Sequence, residues 1–180
     1  MAGTLTVQNL QGPTSGANAN KIIIPSGQTL DASGGTLVPS AGGVIQVVHG
    51  RFTTFTTITS TSPVATGITA TITPTSTSSK ILILASTNGI YKGSGGTFMR
   101  TQIYRNSNVA FHVQEIATYD NGSGANSGNV MSHHLDSPNS TSALTYEIYA
   151  ALSNSGTVYF NNQNNGRPME SGITLMEIAG

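Results

Sequence analysis

The side chains of this chain that could do chemistry fall into three groups: four histidines, a scatter of carboxylates and a run of amides ending in arginine. His133 and His134 are adjacent, and adjacent strand residues point to opposite faces, so the pair cannot chelate one ion from one chain. One of them repeated around a threefold axis could supply three imidazoles, as could His49 or His112. No second ligand type stands at a metal-site spacing, so each reads as an ordinary core or surface histidine and no metal site is assigned. The acids Glu115, Asp120, Asp136, Glu147, Glu170 and Glu177 include possible pairs for glycoside hydrolysis, which needs two carboxyls facing one cleft about 5–9.5 Å apart. Sequence spacing across a sandwich shows no such pair. No serine lies in a G-x-S-x-G elbow. With no cysteine in the chain, thiol catalysis, thiolate zinc and disulfides are excluded. No catalytic residue and no cofactor is assigned.

The third group is the best candidate for contact with something outside the chain. Asn161, Asn162, Gln163, Asn164 and Asn165 follow the apolar Val158-Tyr159-Phe160 and precede Gly166 and Arg167, which predicts a protruding hairpin tip. Amides offer donors and acceptors together, a match for sugar hydroxyls, and Arg167 could meet an anion. The plainer alternative is a polar turn, because Asn-Gly is a common hairpin signal. Gly-rich loops beside Tyr91-Lys92 and Tyr119-Asp120 are similar candidates, with an aromatic ring available for stacking. Their Gly-x-Gly patterns are not nucleotide sites, because no helix follows to receive phosphate. The sequons Asn121-Gly122-Ser123 and Asn139-Ser140-Thr141 read as incidental.

These residues must be positioned by strands. Helical spacing is interrupted everywhere by Gly, Ser, Thr and Asn, while short strand signals recur between turns. Gly67 to Pro74 alternates, apolar residues on one face and threonine on the other. Lys80-Ile81-Leu82-Ile83-Leu84-Ala85 is a continuous apolar run, the pattern of a central strand covered on both faces. Val44–Val48, Met99–Tyr104, Asn108–Val113, Met131–Leu135, Leu144–Leu152, Val158–Phe160 and Ile173–Ile178 complete eight to ten strands. In Phe52-Thr53-Thr54-Phe55-Thr56-Thr57-Ile58 the apolar spacing is three, which predicts a bulge or a face that meets a neighbouring subunit. Turns are expected at Asn88-Gly89, Gly93 to Gly96, Asn121 to Gly124, Asp136 to Asn139 and Asn165-Gly166. The expectation is an all-β fold, a jelly-roll-like β-sandwich over residues 44–180.

Residues 1–43 differ. Ile22-Ile23-Ile24, Thr36-Leu37-Val38 and similar small apolar islands are separated by Ser/Gly spacers, too thin to close a core within one chain. They read as an extended N-terminal arm that docks elsewhere or winds with identical partners. Charged residues make up 8% of the chain, against about 25% in ordinary soluble domains. Strand edges are usually guarded by charge, so these edges are expected to be covered by copies of the chain in a closed ring, a homotrimer. The seven bases and seven acids cancel and the bases are scattered, leaving no patch for nucleic acid. No segment approaches the roughly 20 apolar residues of a spanning helix, and the first ten residues lack the pattern of a signal peptide. Neither nucleic acid nor membrane insertion is expected.

The segments Leu5-Thr6-Val7-Gln8-Asn9-Leu10-Gln11-Gly12-Pro13 and Ala19 to Asp31 resemble the N-terminal region of tailed-bacteriophage virion proteins of the aquatic-phage, tail-fibre-like type. Pro74 to Ile83, Leu135-Asp136-Ser137-Pro138 and Ile173 to Gly180 are similar to C-terminal domains of the same group. The resemblance implies a non-enzymatic homotrimer on the virion surface. Its arm would attach to other virion proteins of tail or capsid through Leu5, Val7, Leu10, Ile22, Ile23 and Ile24. Its C-terminal domain would contact a host surface glycan or protein through Asn161, Asn162, Gln163, Asn164, Asn165 and Arg167. The function so implied is a short trimeric tail fibre; a capsid decoration protein or head fibre is the alternative, and a polysaccharide depolymerase the third.

Overall fold

A computed structural model describes residues 12–19, 21–29, 39–94, 96–115, 126–161 and 169–180, with the backbone alone for 93, 94, 109–115, 126 and 127. The chain divides into two units, Met1–Val38 and Pro39–Gly180. In the first, the described residues form neither strand nor helix. Their backbone bonds close turns, Ala19 N–H to Gly16 O at 3.1 Å and Gln28 N–H to Pro25 O at 3.0 Å.

The second unit is all-β. Its strands are β1 (Val44–Phe52), β2 (Thr56–Ile58), β3 (Val64–Ile72), β4 (Lys80–Ser94), β5 (Met99–Arg105), β6 (Val109–Glu115), β7 (Asn126–Asp136), β8 (Leu144–Leu152), β9 (Thr157–Phe160) and β10 (Ser171–Ile178). One sheet runs β1-β10-β4-β9-β2 with β7 on the other side of β4; the second runs β3-β8-β5-β6. The described pairings are antiparallel, and most join strands distant in sequence. This is a jelly-roll-like sandwich. Residues 39–43 lead into it: Gly42 N–H donates to Ala179 O at 2.7 Å and Ala179 N–H to Gly43 O at 2.8 Å.

Alternation builds the core. On β3 the inward set Ile68, Ala70 and Ile72 is buried while the threonines between face outward. Ile81, Ile83 and Ala85 of β4, Ile173 and Leu175 of β10, and Tyr146 and Ile148 of β8 meet it from the other elements. At the bulge in β3, Gly67 has φ +84°, and a Cβ there would lie 2.7 Å from the Phe52 ring. Gly50 lets β1 approach β3 closely, for a Cβ would collide with the Thr69 carbonyl.

Three sequence expectations change. Phe52 to Ile58 is not a bulged strand: the strand ends at Phe52 and resumes at Thr56. Phe52 packs inward on Phe160, Phe55 turns outward onto Tyr159, and Ile58 points inward again. Asn88-Gly89 is not a turn but an irregularity within the 15-residue β4, with Gly89 at φ +59°. The run Lys80 to Ala85 is central, between β10 and β7, yet only its inward face is sealed; Leu82 and Leu84 are half-buried on the outward face.

Candidate functional site

The described acids are committed to internal bonds. Asp136, at the end of β7, accepts from Arg105 Nη1 of β5 and from Tyr146 Oη of β8, both at 2.6 Å onto Oδ2. Tyr146 is fully buried. Burial first, then the hydrogen bond to Asp136, push its phenol well above the ordinary range, so it stays a neutral donor. This network ties the two sheets together. Glu177, also fully buried, accepts from Gln46 Nε2 at 2.6 Å on Oε2, and from Thr75 N–H and Oγ1 at 2.7 Å on Oε1. Burial pushes its pKa up, but the bonds from Gln46 and Thr75 outweigh it and hold the pKa below its usual value. Glu170 pairs with Arg51 at 2.5 Å. Glu147 accepts from the Gly67 N–H at 3.2 Å, supporting the β3 bulge. Asp120 and the side chain of Glu115 lie outside the described residues.

No group of three or more His, Asp or Glu able to hold a metal occurs among the described residues. His49 and His133 face outward from opposite edges of one sheet; His49 Nδ1 lies 2.9 Å from Thr174 Oγ1. His134, next to His133 on β7, faces inward and is half-buried; the side chain of His112 lies outside the described residues. A pocket between Pro63, Arg100, Gln102 and Ala151 encloses about 110 Å³, well under the roughly 300–1,000 Å³ of a typical ligand site. No helix among the described residues is long and apolar enough to cross a membrane.

The amide run fares differently from its expectation at its first residue. Asn161 is 0% exposed and is a structural clasp rather than an external contact. Its Nδ2 donates to Phe52 O at 3.1 Å and Thr54 O at 3.2 Å, bracketing the β1–β2 break. Its Oδ1 accepts from Ser171 Oγ at 2.7 Å, and its own N–H donates to Asn88 O at 2.9 Å. Asn adopts the required φ of +51° more readily than most residues. The physical reason is the backbone: Asn161 follows the inward Phe160, so alternation alone would turn it outward, but its left-handed φ brings the side chain onto Ser171 Oγ and the carbonyls of Phe52 and Thr54. Asn162, Gln163, Asn164, Asn165 and Arg167 lie outside the described residues, as do Leu5, Val7 and Leu10. Ile22, Ile23 and Ile24 are described and exposed.

Sequence reasoning missed two surface features. Phe55, Tyr159 and Tyr91 form a stacked aromatic ladder across β2, β9 and β4, with centroids 5.3 Å and 6.3 Å apart. Tyr159 pairs with Thr57 and Tyr91 in register, so only the strand order could have brought these rings together. The larger feature is the outward face of β1, β10, β4 and β7. Register places Val47 beside Met176, Met176 beside Leu82, and Leu82 beside Leu135, one apolar row across four strands. His49, Thr174, Leu84 and His133 form the next row, followed by Arg51, Gly172, Ser86 and Met131.

No family model matches the chain, and neither does any curated protein. Among solved structures it is similar to the VP2 subviral particle of infectious bursal disease virus, at 15% identity and a TM-score of 0.45 over 93% of this chain. This chain spans 41% of the length of that VP2. Eiger TNF from S. frugiperda matches at 11% identity and TM-score 0.40, over 74% of this chain and 93% of its own. Latent PorU from Porphyromonas gingivalis matches at 10% identity and TM-score 0.34, over 78% of this chain and 14% of its own. Likenesses this remote carry no argument about what the chain does.

Proposed function

We propose that this chain is a non-enzymatic structural protein of a virion surface, of the capsid-decoration or head-fibre kind. Its jelly-roll-like domain associates with copies of itself, and its N-terminal arm attaches to other virion proteins. One observation carries the reading: the described acids are spent on internal bonds, while the outward face of β1, β10, β4 and β7 is apolar and nearly uncharged. A catalyst needs a free acid or base facing a cleft. An assembly protein needs surface that loses little by leaving water. The exposed Ile22, Ile23 and Ile24, with Leu5, Val7 and Leu10, supply apolar anchoring for the arm. Closed association as a homotrimer covers edges that charge does not guard.

The short tail fibre is the second reading. It rests on Asn162, Gln163, Asn164, Asn165 and Arg167 as receptor contacts to a host glycan or protein, acting through the avidity of three weak sites. Asn161 no longer belongs to that set. Neither nucleic acid, membrane insertion nor a cofactor enters either reading.

Locating the protein on intact particles by cryo-EM tests the proposal. Density over capsid faces or vertices is expected; density confined to the tail hands the function to the fibre reading. Incubation of the purified protein with host polysaccharide should release no oligosaccharide, and release would overturn the non-enzymatic assignment. Deleting residues 1–38 should leave a folded domain that no longer joins the particle. An unfolded product would refute the division into arm and domain.

A further inference from the structure

We infer that the outward face of β1, β10, β4 and β7 is the surface on which a second copy of this chain packs. The inference rests on the self-associating reading above and assigns it a place. Its core is the row Val47, Met176, Leu82 and Leu135, extended by Leu84 and Met131. Met131 is 70% exposed, Val47 56% and Leu135 51%. These are large apolar side chains on regular strands, where alternation and register fix their direction.

The opposite side of the sandwich is the internal control. There the outward residues of β3, β8 and β5 are mostly polar, with Thr69, Thr71, Thr145, Glu147, Arg100 and Gln102, joined by the stacked rings of Tyr104 and Tyr149 and the small Ala65 and Ala151. A chain whose usual solution for water-facing strands is threonine gathers valine, leucine and methionine in adjoining rows on this sheet, whereas the described side chains of the other sheet expose one large aliphatic residue, Val64 at 36%. That difference marks the apolar sheet as a face that does not meet water in the working state.

Charge selects the occupant. The three rows from Val47 to Met131 contain no carboxylate, and their cation, Arg51, is paired with Glu170 at one margin; the row beyond Val47, Ile178 beside Lys80, adds an exposed lysine at the other. A highly charged partner finds only these marginal cations to pair with, whereas the apolar rows of two copies meet without like-charge repulsion. Size agrees. Four strands at ~4.8 Å span ~19 Å, and Gly172 to Ile178 at ~3.3 Å per residue spans ~20 Å, giving roughly 380 Å² of sheet face. That flat footprint is about half of the ~800 Å² each partner contributes to a standard interface, so residues around its margin must supply the rest. β7 adds a second reason. It spans 11 residues, its described pairing is with β4 alone, and its outward side chains Met131, His133 and Leu135 include none of the charges that usually guard an edge.

The full-length chain decides the matter by sedimentation velocity from about 1 to 100 µM, comparing wild type with Val47→Glu and Leu135→Glu. Both positions face outward, so far-UV circular dichroism should be unchanged. Each carboxylate should weaken association about 100-fold or more, because it must be desolvated without a partner. The cysteine-free background allows a second reading of the same face: Met131→Cys should react with a maleimide at least about 10-fold more slowly than Thr71→Cys on the opposite sheet. A wild type that is monomeric throughout would sink both self-association and this face. Undiminished oligomers in both Glu variants, with Met131→Cys labelled as fast as Thr71→Cys, would overturn the face and leave self-association standing. A monomer whose Met131→Cys is protected, and freed by deleting residues 1–38, would identify the arm as the occupant and refute the second copy.

Discussion

Replacing Asn161 by alanine should destabilise the domain far more than loss of a surface amide could. The side chain donates to Phe52 O and Thr54 O and accepts from Ser171 Oγ. Alanine leaves three groups short of a partner at about 1 kcal/mol each, the lower end for buried polar groups, since the carbonyls retain a second lone pair. The backbone adds to this, because φ is +51° and alanine tolerates the left-handed region about 1 kcal/mol less well than asparagine. The sum is about 4 kcal/mol. At about 3 °C per kcal/mol for a domain of this size, the melting temperature should fall by about 12 °C. Asn161→Gly loses the same three bonds without the steric penalty and should cost about 3 kcal/mol. The difference between the two variants therefore isolates the backbone contribution. Thermal and urea unfolding followed by far-UV circular dichroism, at one fixed protein concentration, measures both. A loss below about 1 kcal/mol for the alanine variant would refute the clasp and return Asn161 to the set of solvent-facing amides.

Gly50→Ala should cost about 3 kcal/mol or more, because the new methyl meets the Thr69 backbone rather than a yielding side chain; a soluble variant with wild-type melting would show that β1 and β3 can separate freely. Glu177 has a folded pKa below its ordinary 4.5, so its contribution is complete above that value and is lost as pH falls through the lower folded value. Glu177→Gln should cost about 2 kcal/mol at neutral pH and flatten the acid limb of a stability–pH profile; an unchanged limb would exclude Glu177 as its source. In the Asp136 network, Tyr146→Phe should cost about 1–2 kcal/mol, since Arg105 still satisfies the carboxylate. Asp136→Ala should cost about 3–5 kcal/mol, because a partly buried guanidinium and a buried phenol both lose their carboxylate acceptor, and equal losses in the two variants would contradict that ordering.

What could be read from the residues depended on whether a pattern has one structural solution. β3 could be read because strict alternation fits a single half-buried strand, and the inward set Ile68, Ala70 and Ile72 is buried as the period requires. Phe52 to Ile58 could not, because a spacing of three has several solutions. The one adopted, a break held by an amide 107 residues away in sequence, depends on strand order. The same holds for Asn88-Gly89, where a strong local turn signal yields to pairing of β4 with β7 and β9 on either side. The network joining Asp136, Arg105 and Tyr146 draws on three strands from two sheets, and no spacing along the chain encodes it. Asn161 misled for a related reason: one composition serves a solvated hairpin tip and a buried clasp, and only the left-handed backbone after β9 separates them.

The run Lys80 to Ala85 carries this reasoning one step further. A continuous apolar run states that both faces of a strand are to be covered; it does not state by which chain. Inside the domain only Ile81, Ile83 and Ala85 receive that cover, while Leu82 and Leu84 stand half-open beside the more exposed Val47, Leu135 and Met131. The outward leucines are not a failure of the pattern, since the neighbouring strands place their own apolar residues in the same rows. Four strands that are separate in sequence agree on one apolar face, while the described side chains on the outer face of the opposite sheet, from the same composition, are mostly threonine, tyrosine and other polar groups. Scarcity of charge acts on both sheets alike and cannot produce that difference. Cover from outside the domain can.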